Sequence, residues 1–397
     1  MKKLVTFLGL TFFFFQSFAQ ISVDSLNEKV GEQNGRINAL EESSAAMQSD
    51  LGKLTKIKVS GYIQAQYENY ETDLVKKTGD PFDVFFIRRA RVKFTYEALE
   101  GVQFVLQPDF STNNLSLKDA YVVVNDPWLN IFSLWAGQFN RLNYEVEYSS
   151  TQREVLERSR VIRSIYPGER EIGLKLEIAP QKIPLKFQIA MLNGNFTGKE
   201  AKDSDGKKDI MARLIYSVNL SSLGIGIDLG GHFYNGGIRQ NSTKYFSDID
   251  SKIDSTSQFD YLKKQWFGLE AQMYFDILGG MSLKGEYVNG VNSSIGDSQK
   301  NPYKSREFSG FYAYFIKNIG TKHQLVARYD FFDPNTKTAS EEASSEVFYK
   351  TWTFAWQYYF NDFIRISFNY EMPQNETNSK NKDLKDNVFG IRLQAKF

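Results

Sequence analysis

DVFFIRRARVKFTYEALEGVQFVLQPDF, residues 83–110, decides the fold class of this chain. Read at period two, Phe86, Ala90, Val92, Phe94 and Tyr96 fall mostly on one face. Arg89, Arg91 and Lys93 fall on the other. Successive strand side chains point to opposite sides, so this is a strand with one apolar and one cationic face. A soluble core could take the apolar face. A bilayer suits it equally if the cations line water, because each cation turned to lipid at the midplane costs ~2–4 kcal/mol. After the link Leu99–Gly101 the chain returns with Val102, Phe104 and Leu106 alternating against Gln103 and Gln107, completing a hairpin. The remaining question is whether the same hairpin is repeated around a closed ring.

The composition is compatible with that. The chain has 397 residues, a net charge of +1, no cysteine and 15% aromatic residues. Near-neutral charge implies no nucleic-acid partner. Without cysteine there is no disulfide framework, thiolate metal site or thiol nucleophile. Abundant Phe and Tyr suit the aromatic girdles of a membrane barrel.

The start reads as an export signal, residues 1–19. Lys2 and Lys3 precede an apolar run, Leu4–Phe15, and Ser17-Phe18-Ala19 supplies small residues before a cut. The run is too short for a spanning helix, which needs ~20 residues. With no later long apolar run, membrane insertion is left to strands closed into a barrel. Residues 20–56 are different in kind. Leu26, Gln33, Leu40, Met47 and Leu54 alternate at 4-3 spacing with Val30, Ile37, Ser44 and Leu51. That pattern predicts a periplasmic coiled coil of three sister chains. Gly31, Gly35 and Gly52, with polar Gln33 and Ser44 in the seam, leave a partly helical linker as the alternative.

From Ile57 to Phe397 the sequence runs strand, turn, strand, loop, with about sixteen segments near the ~9–11 residues that cross a bilayer obliquely. Connections such as Ala98–Gly101, Pro180–Lys182, Leu278–Gly280 and Asn361–Asp362 are tight. They alternate with long polar ones such as Arg141–Gly168, Asn193–Lys208 and Asn235–Lys264. Long loops gathered at one end and short turns at the other are the pattern of a transmembrane barrel. The two-faced reading recurs: Leu174 and Leu176 oppose Lys175, and Ile364, Ile366 and Phe368 oppose Arg365. Phe308–Ile316 and Trp352–Phe360 read as apolar on both faces, fitting a subunit contact or a wall beneath an inward loop. The expected fold is all-β: a 16-stranded antiparallel transmembrane β-barrel over residues 57–397, behind the helical segment.

On this parity Arg89, Arg91, Lys93, Lys175, Lys186, Arg213, Lys284, Arg328, Arg365, Arg392 and Lys396 face the lumen. Asp119, Glu171, Glu177, Glu270, Glu286 and Asp330 face it too. Excess cations favour anions, and Arg89-Arg91-Lys93 forms a file with no acid between. A mixed wall without net selectivity is the plain alternative. The connection Arg141–Gly168 carries Glu145, Glu147, Arg153, Glu154, Glu157, Arg158, Arg160 and Arg163, and helix-like spacing of Val155, Ser159 and Ile162. A loop this long is usually functional, and the reading is a constriction folded into the lumen, against an external lid. Other motifs are weak. The acidic run from Asp203 to Asp209 lacks the bidentate Glu of a calcium loop. His232 and His323 have no metal spacing, and Gly224–Gly231 opens no helix to cradle phosphate. No residues ask for a metal, a cofactor or catalysis.

Ile87-Arg88-Arg89-Ala90-Arg91-Val92, Asp109-Phe110, Lys118-Asp119-Ala120-Tyr121, Gly137-Gln138-Phe139, Glu157-Arg158-Ser159 and Pro167-Gly168-Glu169-Arg170-Glu171-Ile172-Gly173 resemble the phosphate-selective porin O and P family of Gram-negative outer membranes. The likeness spans roughly Val59–Phe397 and is most specific between Arg88 and Gly173. The resemblance implies a trimeric sixteen-stranded barrel, an arginine-lined path and an inward third loop. The expected function is passive diffusion of small anions, phosphate or polyphosphate among the candidates, with outer-membrane lipid around a homotrimer. The alternatives are a non-selective general diffusion porin, a structural protein tethered through its coiled coil, and a barrel hydrolase, for which neither histidine has an evident serine and acid partner.

Overall fold

The hairpin forms as β2 (Asp83–Leu99) and β3 (Val102–Asp109), pairing Phe94 with Leu106 and Tyr96 with Phe104 on the outer face and Arg91 with Asp109 inside. This is a computed structural model describing residues 23–79, 81–111, 115–142, 146–147, 149–194, 203, 206–239, 245–247, 253–255, 261–277, 279–294, 303–337, 347–379 and 381–397. The expected export signal lies outside the described residues. The chain divides after Ile57 into a helical unit and a barrel unit. In the first, α1 (Val23–Thr55) is one continuous helix about 50 Å long. Its seam residues Val30, Ile37, Leu40 and Met47 are all exposed.

In the second unit the hairpin is indeed repeated. Strands β1 (Ile57–Tyr70), β4 (Ser116–Asn125), β5 (Phe132–Asn140), β6 (Arg170–Ile178), β7 (Leu185–Leu192), β8 (Asp209–Leu220) and β9 (Ile225–Arg239) build the first half with β2 and β3. A small hairpin, β10 (Tyr245–Ser247) and β11 (Ile253–Ser255), stands within the connection the sequence left as loop. The second half is β12 (Tyr261–Phe275), β13 (Met281–Ser294), β14 (Tyr303–Ile319), β15 (His323–Asp333), β16 (Tyr349–Tyr359), β17 (Ile364–Asn375) and β18 (Val388–Lys396). Apart from β10 and β11, each long strand pairs antiparallel with the next in sequence, β9 passing directly to β12. β18 pairs with β1 from Tyr62↔Lys396 to Tyr70↔Val388, so the sixteen long strands close. Closure leaves no unpaired edge, which is what a bilayer demands.

The wall has the expected inside and outside. Phe104, Leu106, Phe315, Leu325, Phe354 and Leu393 are exposed outward, while Gln64, Gln66, Arg213, Glu270, Arg328 and Arg392 are buried inward. Two glycines set local strand approach. Gly137, at φ 127°, pairs with Gly173, and a Cβ on either would run into the main chain of the neighbouring strand, at Ala120 and Met191 respectively.

One phase break interrupts β2. Phe85 and Ile87 point outward at 83% and 42% exposure, then Phe94 and Tyr96 do so at 41% and 40%. The outward set shifts from odd to even positions, so Arg88 and Arg89 both turn inward. The physical reason is on the page of the sequence: strict alternation would put the Arg88 guanidinium into lipid at ~2–4 kcal/mol. A local irregularity avoids this at small cost.

The two segments that read as apolar on both faces separate cleanly. In β14, Phe308, Tyr312, Tyr314 and Ile316 are buried inward. In β16, Trp352, Phe354 and Trp356 are exposed outward, and Thr351, Thr353, Ala355 and Gln357 face in.

Candidate functional site

The described residues of the third long loop, between Arg141 and Glu169, pack against inward-facing strand residues. The loop has its own apolar core. Val146, Val155, Val161, Ile162, Ile165 and Tyr166 pack against inward residues of β9, β12 and β14, among them Tyr234, Trp266 and Phe308. A short helix, α2 (Arg160–Ile165), buries Val161, Ile162 and Ile165. The helical spacing read from Val155 is shorter in fact. Ser159 precedes the helix without capping it, because its hydroxyl donates to Glu147 at 2.8 Å. At the far end the Trp266 indole donates to the Tyr166 hydroxyl at 2.6 Å, and His232 lies 3.3 Å from the same oxygen.

The wall holds this loop largely by its main chain. Gln64 donates to the Ser150 carbonyl at 3.0 Å, Arg365 to Arg153 at 3.1 Å, Arg392 to Leu156 at 2.9 Å and Arg328 to Glu157 at 2.7 Å. Irregular backbone inside a barrel carries carbonyls with no ladder partner, and buried polar groups must be paired. Guanidinium groups supply the donors.

Two carboxylates complete the attachment. Glu147 accepts from the Ser159 amide at 2.8 Å and from Tyr314, and pairs with Arg328 at 3.3 Å. Arg328 also meets Asp330 at 3.2 Å and the Thr353 hydroxyl at 3.0 Å. Glu157 is gripped in a fork by Arg88, at 2.7 and 2.9 Å, and by Arg392 at 3.1 Å. Burial opposes its charge, yet Arg88, Arg89 and Arg392 hold the Glu157 carboxyl well below the usual carboxylate range.

The sequence-derived lumenal cations thus meet different environments. Arg328, Arg365 and Arg392 lie against the loop. Arg213 pairs with Glu270 at 2.6 Å, and Lys175 sits 3.3 Å above the Trp135 ring. Arg91 pairs with Asp109 at 2.7 Å and donates to the Tyr62 hydroxyl at 2.9 Å. Arg89 is 2% exposed and donates to Gln64 at 3.0 Å, but has no acid partner among the described residues. Its Nε, equally buried, has no hydrogen-bond partner. Lys93 is half-buried and likewise makes no ion pair among them.

The loop residues are nearly all engaged with protein. Among the described residues Arg153 reaches only main-chain carbonyls, those of Leu156 and Glu147. Glu154 pairs with Lys284 at 2.5 Å, Arg158 with Glu169, and Arg163 with Glu371 at 3.0 Å. Arg160 lies 3.7 Å from the Tyr349 ring centroid.

Two cavities are lined by charged side chains. One, of about 410 Å³, is lined by Arg88, Arg89, Arg91, Lys118, Asp109 and Glu169, towards the long-loop end. Arg88 answers to Glu157 and Arg91 to Asp109, so Arg89 and Lys118 are the cations there without an acid partner among the described residues. Lys118 was read only as part of a motif, and Arg88 was absent from the lumenal set. The adjacent pair Arg88-Arg89 was itself the signal, since two neighbouring arginines cannot both face a lumen in a regular strand. Arg141 and Arg170, which pair with Glu171 at 3.3 Å and Asp119 at 2.9 Å, hold the two ends of the loop and had no periodicity to reveal them. The other cavity, of about 250 Å³, lies against β7–β9, β12 and β13.

The closed barrel is similar to solved outer-membrane channels. The outer membrane channel DcaP of Acinetobacter baumannii aligns at TM-score 0.58 and 13% identity, covering 86% of this chain and 97% of that one. The anion-selective porin from Comamonas acidovorans aligns at 0.57 and 11%, covering 86% and 99%. The trimer form of OmpT from Vibrio cholerae aligns at 0.54 and 13%, also covering 86% and 99%. No curated protein matches the chain by sequence. The family described as phosphate-selective porin O and P matches residues 57–229 and 251–397. With sixteen closed strands, a wall wet inside and apolar outside, and that match over most of its length, the chain belongs to the phosphate-selective porin O and P family of outer-membrane channels.

Proposed function

We propose that this porin passes small anions by diffusion, and that they bind in the cavity lined by Arg88, Arg89, Arg91 and Lys118. The observation that carries the reading is Arg89, a buried guanidinium with no acid partner among the described residues, in one cavity with half-buried Lys118, which also lacks one among them. Taking a cation out of water is costly unless something repays its lost hydration, and a transient anion does so. Lys93, further along the same strand, extends the file towards the short-turn end, and Lys175 adds a cation on β6. Phosphate and polyphosphate are within this class, and the cavity chemistry suits any compact oxyanion. Arg328, Arg365 and Arg392 shape the passage by fixing the loop, and Arg213 stands in the second cavity.

The test is ion preference in planar bilayers. Wild-type protein in a salt gradient should give a reversal potential of the anion-selective sign. Arg89→Glu/Arg91→Glu should reverse it, since two cations become two acids in a confined low-dielectric site. A wild-type cation preference, or an unchanged preference in the double variant, removes the reading. The general diffusion pore would show near-zero preference in the same experiment.

A pH dependence follows at the mouth. Asp386 lies in the loop before β18 and is half-buried. Burial pushes its carboxyl up to about 6, against the pull of Arg160, with Asp383 adding to the rise. Acidification from about pH 7.5 to about pH 5 therefore protonates it and removes one negative charge near Arg160. Anion preference should rise through that window with a midpoint near 6, and Asp386→Asn should abolish the step.

The N-terminal unit is read as three sister α1 helices coiled in the periplasm behind the cleaved signal. Support comes from the 4-3 seam and from the exposure of Val30, Ile37, Leu40 and Met47.

A further inference from the structure

A second compartment is lined by Ser149, Gln152 and Arg153 of the third long loop and by β7–β9, β12 and β13, and its electrostatics differ. Four charges there are already matched, Arg213 with Glu270 and Lys284 with Glu154, at 2.6 and 2.5 Å. Three charges remain: Arg153 is held by the main-chain carbonyls of Leu156 and Glu147, and the other two are of opposite sign. Lys186 of β7 and Asp228 of β9 line the cavity, and neither has a hydrogen bond or ion pair among the described residues. Register places them across β8 from one another: Lys186 faces Ile215, Ile215 faces Gly230, and Asp228 is two residues along, opposite Ser217 and Gln272. Strand spacing sets their backbones roughly 10 Å apart laterally, beyond direct pairing and within reach of one small solute. The neutral lining there is rich in amides and hydroxyls, Gln152, Gln272, Ser149 and Ser217. Lys186 and Asp228 together do not sort simple anions, because an anion drawn to Lys186 is repelled by Asp228 at similar range.

We propose that this compartment is a subsite for zwitterionic solutes of amino-acid or dipeptide size, their carboxylate meeting Lys186 and their ammonium meeting Asp228. The inference rests on the reading of the lumen as an open passage, and gives the porin a second class of solute beside anions. A zwitterion gains at both poles, whereas a neutral solute of equal size gains at neither. Amide and hydroxyl groups between the poles replace the water lost by the peptide bond.

The experiment is swelling of liposomes carrying the full-length protein, with diglycine as the zwitterion and N-acetylglycinamide as the uncharged probe of similar size. Diglycine should enter about threefold faster, the factor expected of partly solvated charge contacts. Lys186→Gln/Asp228→Asn keeps the net charge and should bring the two rates together. The swapped variant Lys186→Asp/Asp228→Lys should restore the advantage, because a zwitterion can enter reversed, and that separates recognition from damage to the wall. Equal rates in the wild type, entry of neither probe, or an advantage kept by the neutral variant would overturn the subsite. Chloride reversal potential in the neutral variant should stay at the wild-type value. A cation-selective reversal potential would defeat the anion reading alone, leaving the diglycine result to stand or fall by itself.

Discussion

Arg328→Gln should lower the stability of the barrel by about 3–5 kcal/mol and raise its single-channel conductance. Arg328 is fully buried, and it answers Glu147, Asp330 and, at 3.6 Å, Glu371. Removing it takes the cation from Glu147 and Asp330 in a water-poor interior and leaves Glu371 to Arg163 alone, and breaking a buried ion pair from one side is far costlier than never having built it. The same guanidinium donates to the Glu157 carbonyl, so its loss also unpins the loop where it crosses the lumen. A loosened constriction conducts more. The transition of the heat-modifiable band on a gel reads the stability, and bilayer recordings read the conductance. Unchanged conductance with lowered stability would mean that the apolar contacts of Val161, Ile162 and Ile165 hold the loop unaided.

Glu157→Gln should act in the opposite sense on selectivity, raising anion preference while costing about 3 kcal/mol of stability. Glu157 is the one carboxylate bonded by both Arg88 and Arg392. Glutamine keeps the shape and removes the charge, so both guanidinium groups join Arg89 in presenting uncompensated charge to the lumen. The pairing predicts strong coupling: Arg88→Gln/Glu157→Gln should cost much less than the sum of the single variants, as expected for partners in one contact. Additive costs would show that the fork contributes little. Reversal potentials on the single variant settle the selectivity. A shift towards cations would refute the assignment of Glu157 as a neutralising group.

Much of the barrel was legible because a membrane imposes a short rule. A strand with lipid on one side and water on the other must alternate, so Phe94, Leu174 and Ile366 declare their face from neighbours two residues away. The expectation of an inward loop rests on the length of Arg141–Gly168 and on the helix-like spacing of Val155, Ser159 and Ile162. What stayed hidden is what those lumenal groups touch. Arg89 and Arg392 look alike at period two, yet one lacks an acid partner and the other is bound to Glu157 and a loop carbonyl. Phe308–Ile316 could not be assigned to a partner subunit or to an inward loop, because hydrophobicity does not say which neighbour covers it. The Arg88-Arg89 phase break was misread for a different reason: periodicity counts residues evenly, and an irregular strand does not.

By itself the sequence determined that the chain is a membrane barrel with short turns at one end, because amphipathic alternation and loop length are local properties written residue by residue. Only the tertiary structure decided which cations are committed to loop 3 and which face the cavities. That choice depends on where the carbonyls and carboxylates of residues 147–163 come to rest against β1, β2 and β13–β18, strands up to 236 positions away in the chain. Pairing energy inside a lumen is set by proximity in space, and no spacing in the sequence records it.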